Sequence, residues 1–571
     1  MASSVETLLP YAPMRKSTRS NALLPLSLIL FCIEAVLLLS GPQVVHARQQ
    51  KCRLQSTKNR AAMMSPPVNT GIGTGGGAVN ATLTNPSQTA GSSGSPSGSA
   101  SSPSRTPFNY GTDKIRGVNL GGWLVLEPWI TPSLFESTGN DNIIDEFTLG
   151  QFMDNGAAQE LLTNHWETWI TEDDFAQIQA AGLNHVRIPI GYWSIPLTSS
   201  DTSESTSVAP YIPGAWTYLL RALDWAEIHN IHVIVDLHGA PGSQNGYDNS
   251  GQRTNNPVWG DTPDNITRTV DTLAFMVREA GDKIDVLELL NEAAGFKGGN
   301  WPGAIRQFWL DGYAAVRNAT GSDMKVMIGD AFLGVDSWTN FLTSPQAEGV
   351  LMDFHEYQIF SDLELNRSFD QHIDFACTYT QSLGSFAESN LWTVVGEWSN
   401  ALTDCAKWLN GRGVGARWDG TWFPGPSSVV HGNCSQFTGN YTTWSQDYIG
   451  FLRKYWEVQV EVGESVQGWV FWTWKSLCVG VGHGIMLRNC VCGVMVVGGG
   501  GGGGGPRTRT NGAINEDYRA VGYPKILRIA SSRGFAQALE IPSTPSHIPF
   551  LTFVTRGNLP PFEQPIQSRR R

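Results

Sequence analysis

The stretch Val286-Leu-Glu-Leu-Leu-Asn-Glu292 is an apolar run that ends on an amide and a carboxyl. It has the length of a buried strand, and its polar pair falls where such a strand would emerge. The same pattern recurs along the chain. Short apolar runs fall at Ile115–Leu120, His185–Ile188, His232–Leu237, Val286–Leu290, Lys325–Ile328, Val350–His355, Thr393–Val395 and Gln467–Trp472. Helix-like segments lie between them at Glu172–Ala181, Ala215–His229, Asp264–Ala280, Ala304–Asn318 and Tyr448–Val458. This alternation predicts an α/β chain folded as a (β/α)8 TIM barrel. An open doubly wound sheet is the alternative, but Gly117, Gly121 and Gly122 lack the spacing of a dinucleotide fingerprint.

Barrel enzymes carry their chemistry at the C-terminal ends of the strands. Here Arg187 ends the second run, His238 the third, and Asn291 and Glu292 the fourth. His355 and Tyr357 end the sixth, Glu397 the seventh, and Trp472 and Trp474 the eighth. Any one of these residues could cap a strand or pack a loop. Six strands ending alike point to a site.

Two of these residues are carboxylic acids on different strands, Glu292 and Glu397, the latter in Val394-Val-Gly-Glu-Trp398. Gly396 before it would let the backbone approach closely. Glycoside hydrolysis needs such a pair, one to protonate the leaving oxygen and one to attack the anomeric carbon or activate water. The acid needs a raised pKa and the nucleophile must stay ionised. Arg187 could hold Glu397 charged, or form a merely structural ion pair. Tyr357 could donate to the same carboxylate. His238 and His355 could orient sugar hydroxyls or the acids themselves. Asn291 could hold the sugar 2-hydroxyl.

Composition agrees with an exported, sugar-handling chain. The 571 residues carry 21 Trp and a net charge of −12. Aromatic faces stack on pyranose rings, although core packing uses Trp as well. The negative charge argues against nucleic acid as a partner and leaves an uncharged polysaccharide open. Residues 1–50 read as a signal peptide or signal-anchor, with Arg15, Lys16 and Arg19 before an apolar Ala22–Leu39 and a Val45-x-Ala47 cleavage site. A membrane contact is expected only for an uncleaved anchor, giving a plasma-membrane form; the main expectation is a secreted or cell-wall protein. Asn80, Asn265, Asn318, Asn366, Asn433 and Asn440 open N-glycosylation sequons. Residues 51–110 read as a Ser/Gly/Pro-rich disordered linker, because Ser65–Ser104 has too few large apolar residues to fold. Residues 111–475 are the catalytic domain, expected as a monomer.

Longer motifs carry a family resemblance. Gly117-Val-Asn-Leu-Gly-Gly-Trp-Leu-Val-Leu-Glu-Pro-Trp-Ile-Thr-Pro-Ser-Leu-Phe135, His185-Val-Arg-Ile-Pro-Ile-Gly-Tyr-Trp193, Asp236-Leu-His-Gly-Ala-Pro-Gly-Ser-Gln-Asn-Gly246 and Phe471-Trp-Thr-Trp-Lys475 closely resemble the fungal exo-β-1,3-glucanases of glycoside hydrolase family 5. The likeness runs from about Ile115 to Lys475. It implies a retaining (β/α)8 enzyme that releases glucose from non-reducing ends of β-1,3-glucan, with no metal and no cofactor. It assigns the acid/base to Glu292 and the nucleophile to Glu397. Arg187, His238, Asn291, His355, Tyr357 and one of Trp472 or Trp474 would shape the substrate site. Glu127 resembles a residue that holds the terminal glucose hydroxyls, with a structural ion pair as the competing reading. Phe360 resembles an aromatic that clamps a second glucose at the entrance, with core packing as the competitor. The likeness also implies a Cys405–Cys434 bridge and a C-terminal partner for Cys377.

The resemblance stops at Lys475. Residues 476–571 form an aberrant tail, opening Ser476-Leu-Cys-Val-Gly-Val-Gly-His-Gly-Ile-Met486 and running into Gly498–Gly505. Each Gly costs a helix about 1 kcal/mol, so the eighth barrel helix is doubtful and the barrel is expected to be open on that side. The tail is either a disordered extension or the product of a misread gene. The His483–Cys492 cluster matches no zinc spacing. Alternative functions are a β-1,6- or mixed-linkage glucanase or transglycosylase, and a catalytically impaired glucan-binding wall protein.

Overall fold

The computed structural model describes residues 105–320, 324–423, 429–439 and 443–476. Eight parallel strands close into a barrel in sequence order. They are β1 (Ile115–Asn119), β2 (His185–Gly191), β3 (His232–Gly239), β4 (Val286–Glu288), β5 (Lys325–Gly329), β6 (Val350–Glu356), β7 (Trp392–Trp398) and β8 (Gly468–Phe471). Every apolar run read from the sequence becomes a strand. The sheet is not open: β8 pairs with both β7 and β1, with Ile115 opposite Gly468 and Val118 opposite Phe471. Gly468 makes this possible, since a methyl group there would lie 2.1 Å from the Ile115 carbonyl oxygen. The place of an eighth helix lies outside the described residues, as do the targeting segment, the poly-Gly tail and the His483–Cys492 cluster.

Helices Glu172–Ala180, Trp216–Ile228, Pro263–Ala280, Trp301–Thr320, Phe369–Ser389 and Gln446–Ser465 cover the outside. A 3-10 turn, Val335–Trp338, stands where a helix between β5 and β6 would be. Start signals are local. Thr171 with Asp174 and Ser368 with Gln371 form capping boxes, and Ser445 accepts from the Tyr448 N–H. Five described helices do not show in the sequence pattern, Pro132–Ser137, Glu146–Phe152, Asn155–Thr168, Asp362–Leu365 and Phe369–Ser389, and two of them are long. In Phe369–Ser389 the buried positions are His372, Ala376, Leu383 and Phe386, a helical stripe disguised by a histidine and an alanine. Asn155–Thr168 likewise buries only Ala158, Leu162, His165 and Trp166.

The barrel interior is layered. Ile115, Ile234, Val286, Met327, Leu351, Val394 and Val470 form an apolar floor. Phe108 and Tyr110 plug it from below, and the Tyr110 hydroxyl lies 3.1 Å from His185 Nε2. Arg105 pairs with Asp285 at 2.6 Å. The folded domain therefore already includes Arg105, inside the span read as linker. Above the floor the inward positions turn polar: Asn119, Arg187, Asp236, Glu288 and Asp353, all fully buried.

Two-residue alternation explains most of this layering. Ile234, Asp236 and His238 share one face of β3, and Leu351, Asp353 and His355 one face of β6. In β7 the alternation breaks. The pairing jumps from Phe354–Val395 to His355–Glu397, so Gly396 is bulged. The bulge turns Glu397 inward and leaves Trp398 outside, packed on Trp456, Trp469 and Phe471.

Candidate active site

Arg187 organises the floor of the site. Its Nε donates to Glu288 Oε2 at 2.7 Å, and its terminal nitrogens reach Glu397 Oε1 at 2.8 Å, Asn291 Oδ1 at 2.8 Å and Asn119 Oδ1 at 3.0 Å. Asp236 lies 3.1 Å away. Burial alone would depress the guanidinium, but Asp236, Glu288 and Glu397 hold it firmly cationic. Crowding acts the other way on Glu288, whose carboxyl is pushed well above its usual range by burial and by the charges of Asp236 and Asp353.

The two candidate catalytic acids face one another above this floor. Glu292, His355 and Glu397 each present one atom within 4.8 Å of the others. Tyr357 donates to Glu397 Oε2 at 2.7 Å. Asn249 donates to Glu292 Oε2 at 2.8 Å, and His355 Nδ1 lies 3.1 Å from Glu292 Oε1. Glu292 has φ +46°, left-handed backbone that a residue with a Cβ adopts at a cost. Gln244 supports that turn by donating to the carbonyls of His238, at 2.7 Å, and Asn291, at 3.0 Å.

The acid expected to carry a raised pKa does not do so here. Burial pushes Glu292 up, but hydrogen bonds from His355 and Asn249 and the His355 charge more than offset this and hold it below its ordinary value. His355 is held well above the usual histidine range: burial opposes its charge, and Glu397 and Asp353 overcome that. The proton of this cluster therefore sits on the imidazole.

His238 stacks on Trp472 with ring centroids 5.8 Å apart and planes 8° from parallel. Trp472 also packs in the aromatic rim with Trp129, Phe360 and Tyr357. Trp474 does not join them. Its indole N–H donates to Asp174 at 2.9 Å within the outer core. Strand β8 ends at Phe471, so the two-residue period that put both tryptophans on one face does not extend to them. Glu127 is buried and accepts from the Trp129 indole at 2.9 Å. A cavity opens from Glu292 past His355, Asp330 and Phe332 to Tyr357 and Phe360. The structure thus brings together Glu292, Glu397, Arg187, His238, Asn291, His355, Tyr357, Phe360 and Trp472.

Sequence reasoning missed Asn249, Gln244, Asp236, Glu288 and Asp353. For the last three a signal existed, since an acid inside an otherwise apolar strand must find a buried partner. Asn249 had none, because only the folded loop carries it to Glu292. A second trio, Glu288, Asp353 and His355, also has the closeness of a metal site. Arg187, in contact with Glu288, already supplies the positive charge there, and the donor set does not fit a further cation.

Cys405 and Cys434 are bridged, closing a loop between residues 29 apart after β7. Cys377 is also disulfide-bonded.

A (β/α)8 barrel with two close carboxyls, one gripped by an arginine and a tyrosine, is the constellation of a glycoside hydrolase. Residues 153–410 match the Cellulase (glycosyl hydrolase family 5) family. The chain is 44% identical over 374 residues to the glucan 1,3-beta-glucosidase of Blumeria graminis, covering 65% of this chain and 84% of that protein. It is 43% identical to glucan 1,3-beta-glucosidase 2 of Wickerhamomyces anomalus, covering 65% and 85%. Among solved structures, the rutinosidase from Aspergillus niger shares the fold, with TM-score 0.51 and 17% identity over 68% of this chain and 96% of that one. The chain belongs to glycosyl hydrolase family 5.

Proposed function

We propose that the protein is a glucan 1,3-β-glucosidase that releases glucose from chain ends with retention of configuration. The observation that supports retention is that one carboxylate oxygen of Glu292 lies within 4.8 Å of one of Glu397. Retaining pairs stand about 5–5.5 Å apart, whereas inverting pairs leave about 6.5–9.5 Å for a water. The substrate follows from two relatives more than 40% identical that carry this name.

In this reading Glu397 attacks the anomeric carbon while Glu292 protonates the departing oxygen. Glu292 then deprotonates the water that opens the glucosyl ester. Arg187 and Tyr357 keep Glu397 on line, one on each oxygen. Trp472, backed by His238, offers a flat face to the sugar, and Glu127 and Phe360 act at the terminal glucose and the entrance. The protein works outside the cytosol, delivered by residues 1–50; the sequons and the Cys405–Cys434 bridge support this.

Laminarin digestion followed by NMR tests the reading. Glucose should appear first as the β-anomer. Activity on pustulan alone would favour a β-1,6 enzyme, and binding of laminarin without turnover an impaired wall protein. Glu397→Gln and Glu292→Gln should each lower kcat by several orders of magnitude, and azide should rescue Glu292→Ala; near-normal rates would remove the assignments.

A further inference from the structure

Asp353 is one of the buried acids that the reaction above leaves without a task. Its Oδ2 lies 3.1 Å from His355 Nε2, and its Oδ1 accepts the Gly396 N–H at 2.8 Å. The fit to Gly396 is close enough to exclude any other residue there: a methyl group would stand 2.0 Å from Oδ1. The same imidazole turns its other nitrogen to the catalytic pair, with Nδ1 3.1 Å from Glu292 Oε1 and 3.6 Å from Glu397 Oε2.

We propose that Asp353 is a positioning residue that holds the Nε2–H of His355, so that Nδ1 is the nitrogen that exchanges a proton with Glu292. The proposal rests on Glu292 being the acid/base. A carboxylate can only accept, so Asp353 keeps a hydrogen on Nε2 whether the ring is charged or neutral. Nδ1 alone can then release and recover one. When substrate binds, the Nδ1–H bond breaks and an O–H bond forms on Glu292 across the 3.1 Å contact. Glu292 passes that proton to the leaving oxygen. In the second half it takes one from water, and the proton returns to Nδ1, leaving the enzyme unchanged. This accounts for a general acid that is ionised in the free site.

The groups that face His355 come from several elements. They are Glu292 after β4, Glu397 on β7, Asp353 on β6 and Tyr357 just beyond it, and Asp330 after β5. Arg187 on β2 and Glu288 on β4 stand behind Asp353. Among the described residues, Asp353 is the hydrogen-bond partner of Nε2.

The test is Asp353→Asn. The fixed Gly396 N–H should claim the amide oxygen, turning the NH2 towards Nε2 and forcing the hydrogen onto Nδ1. With laminarin, whose leaving group needs protonation, kcat/KM should fall about 100-fold or more. With 2,4-dinitrophenyl β-glucoside, whose leaving group needs none, it should fall less than about tenfold. The alkaline limb of kcat/KM should move about one unit to lower pH, because a carboxylate that favours the imidazolium is gone. Adding His355→Gln should cost little more. Equal losses on both substrates with an unmoved alkaline limb would overturn the proposal, as would wild-type rates. Should Asp353→Asn fail to fold, histidine 15N NMR of the parent enzyme decides: the neutral His355 ring must carry its hydrogen on Nε2, and a hydrogen on Nδ1 instead would overturn the proposal. Loss of azide rescue in Glu292→Ala would instead sink the acid/base reading itself.

Discussion

The Tyr357 phenol donates to Glu397 Oε2 at 2.7 Å, on the opposite side of the carboxylate from the Arg187 contact. Burial and the Glu397 charge push the phenol well above its usual pKa, so it remains a donor across the working pH range. Tyr357→Phe removes one of two fixed partners and frees the carboxylate to rotate off line. A hydrogen bond to a charged group is worth about 1.5–3 kcal/mol, so kcat/KM should fall about 10- to 100-fold. Unlike the Asp353 variant, it should fall for laminarin and the activated aryl glucoside alike.

Arg187 is fully buried among Asp236, Glu288, Asp353 and Glu397. Arg187→Met leaves these acids without a cation, and uncompensated buried charge costs about 3–5 kcal/mol. The expected outcome is a large fall in the thermal midpoint together with loss of activity. Arg187→Lys keeps the charge but not the fork that reaches Glu288 and Glu397 at once. It should fold, with a lower midpoint and a kcat reduced at least tenfold; full activity would contradict the bridging role.

Glu356 lies on the outer side of β6, accepting from Gln358 at 2.8 Å and from Gln459. Burial raises it to about 7. A carboxyl raised on folding binds more protons in the native state, so stability should fall as pH rises from about 4.5 to 7 and level off above. Glu356→Gln removes that slope, and the neighbouring amides can rotate to accommodate it. Thermal midpoints at pH 5 and pH 8 should differ less in the variant than in the parent.

The sequons differ in access. Asn318, Asn366 and Asn433 are exposed, whereas Asn265 is partly buried with its amide against Gly242, where a methyl group would lie 2.5 Å from Nδ2. Asn80 and Asn440 lie outside the described residues. Peptide mapping of secreted protein should find glycan at the three exposed positions and none at Asn265. Glycan at Asn265, or bare asparagines throughout, would contradict the export route or the fold around that loop.

Much of this architecture was legible in the chain because buried parallel strands read as unbroken apolar runs. Eight runs gave eight strands, and the acids beyond β4 and within β7 came together. What stayed hidden depends on three dimensions. The Gly396 bulge reverses an alternation that would have turned Trp398, not Glu397, into the barrel. Trp472 and Trp474 could not be told apart because the strand ends before both. Asn249 reaches Glu292 only through a folded loop, and the stripe of Phe369–Ser389 is written in residues that hydropathy passes over.

A side chain with a Cβ is strained in the left-handed turn at Glu292. Glycine there would shed the strain yet strand the Asn249 amide and His355, so the turn binds the durability of the fold to the residue that does the chemistry.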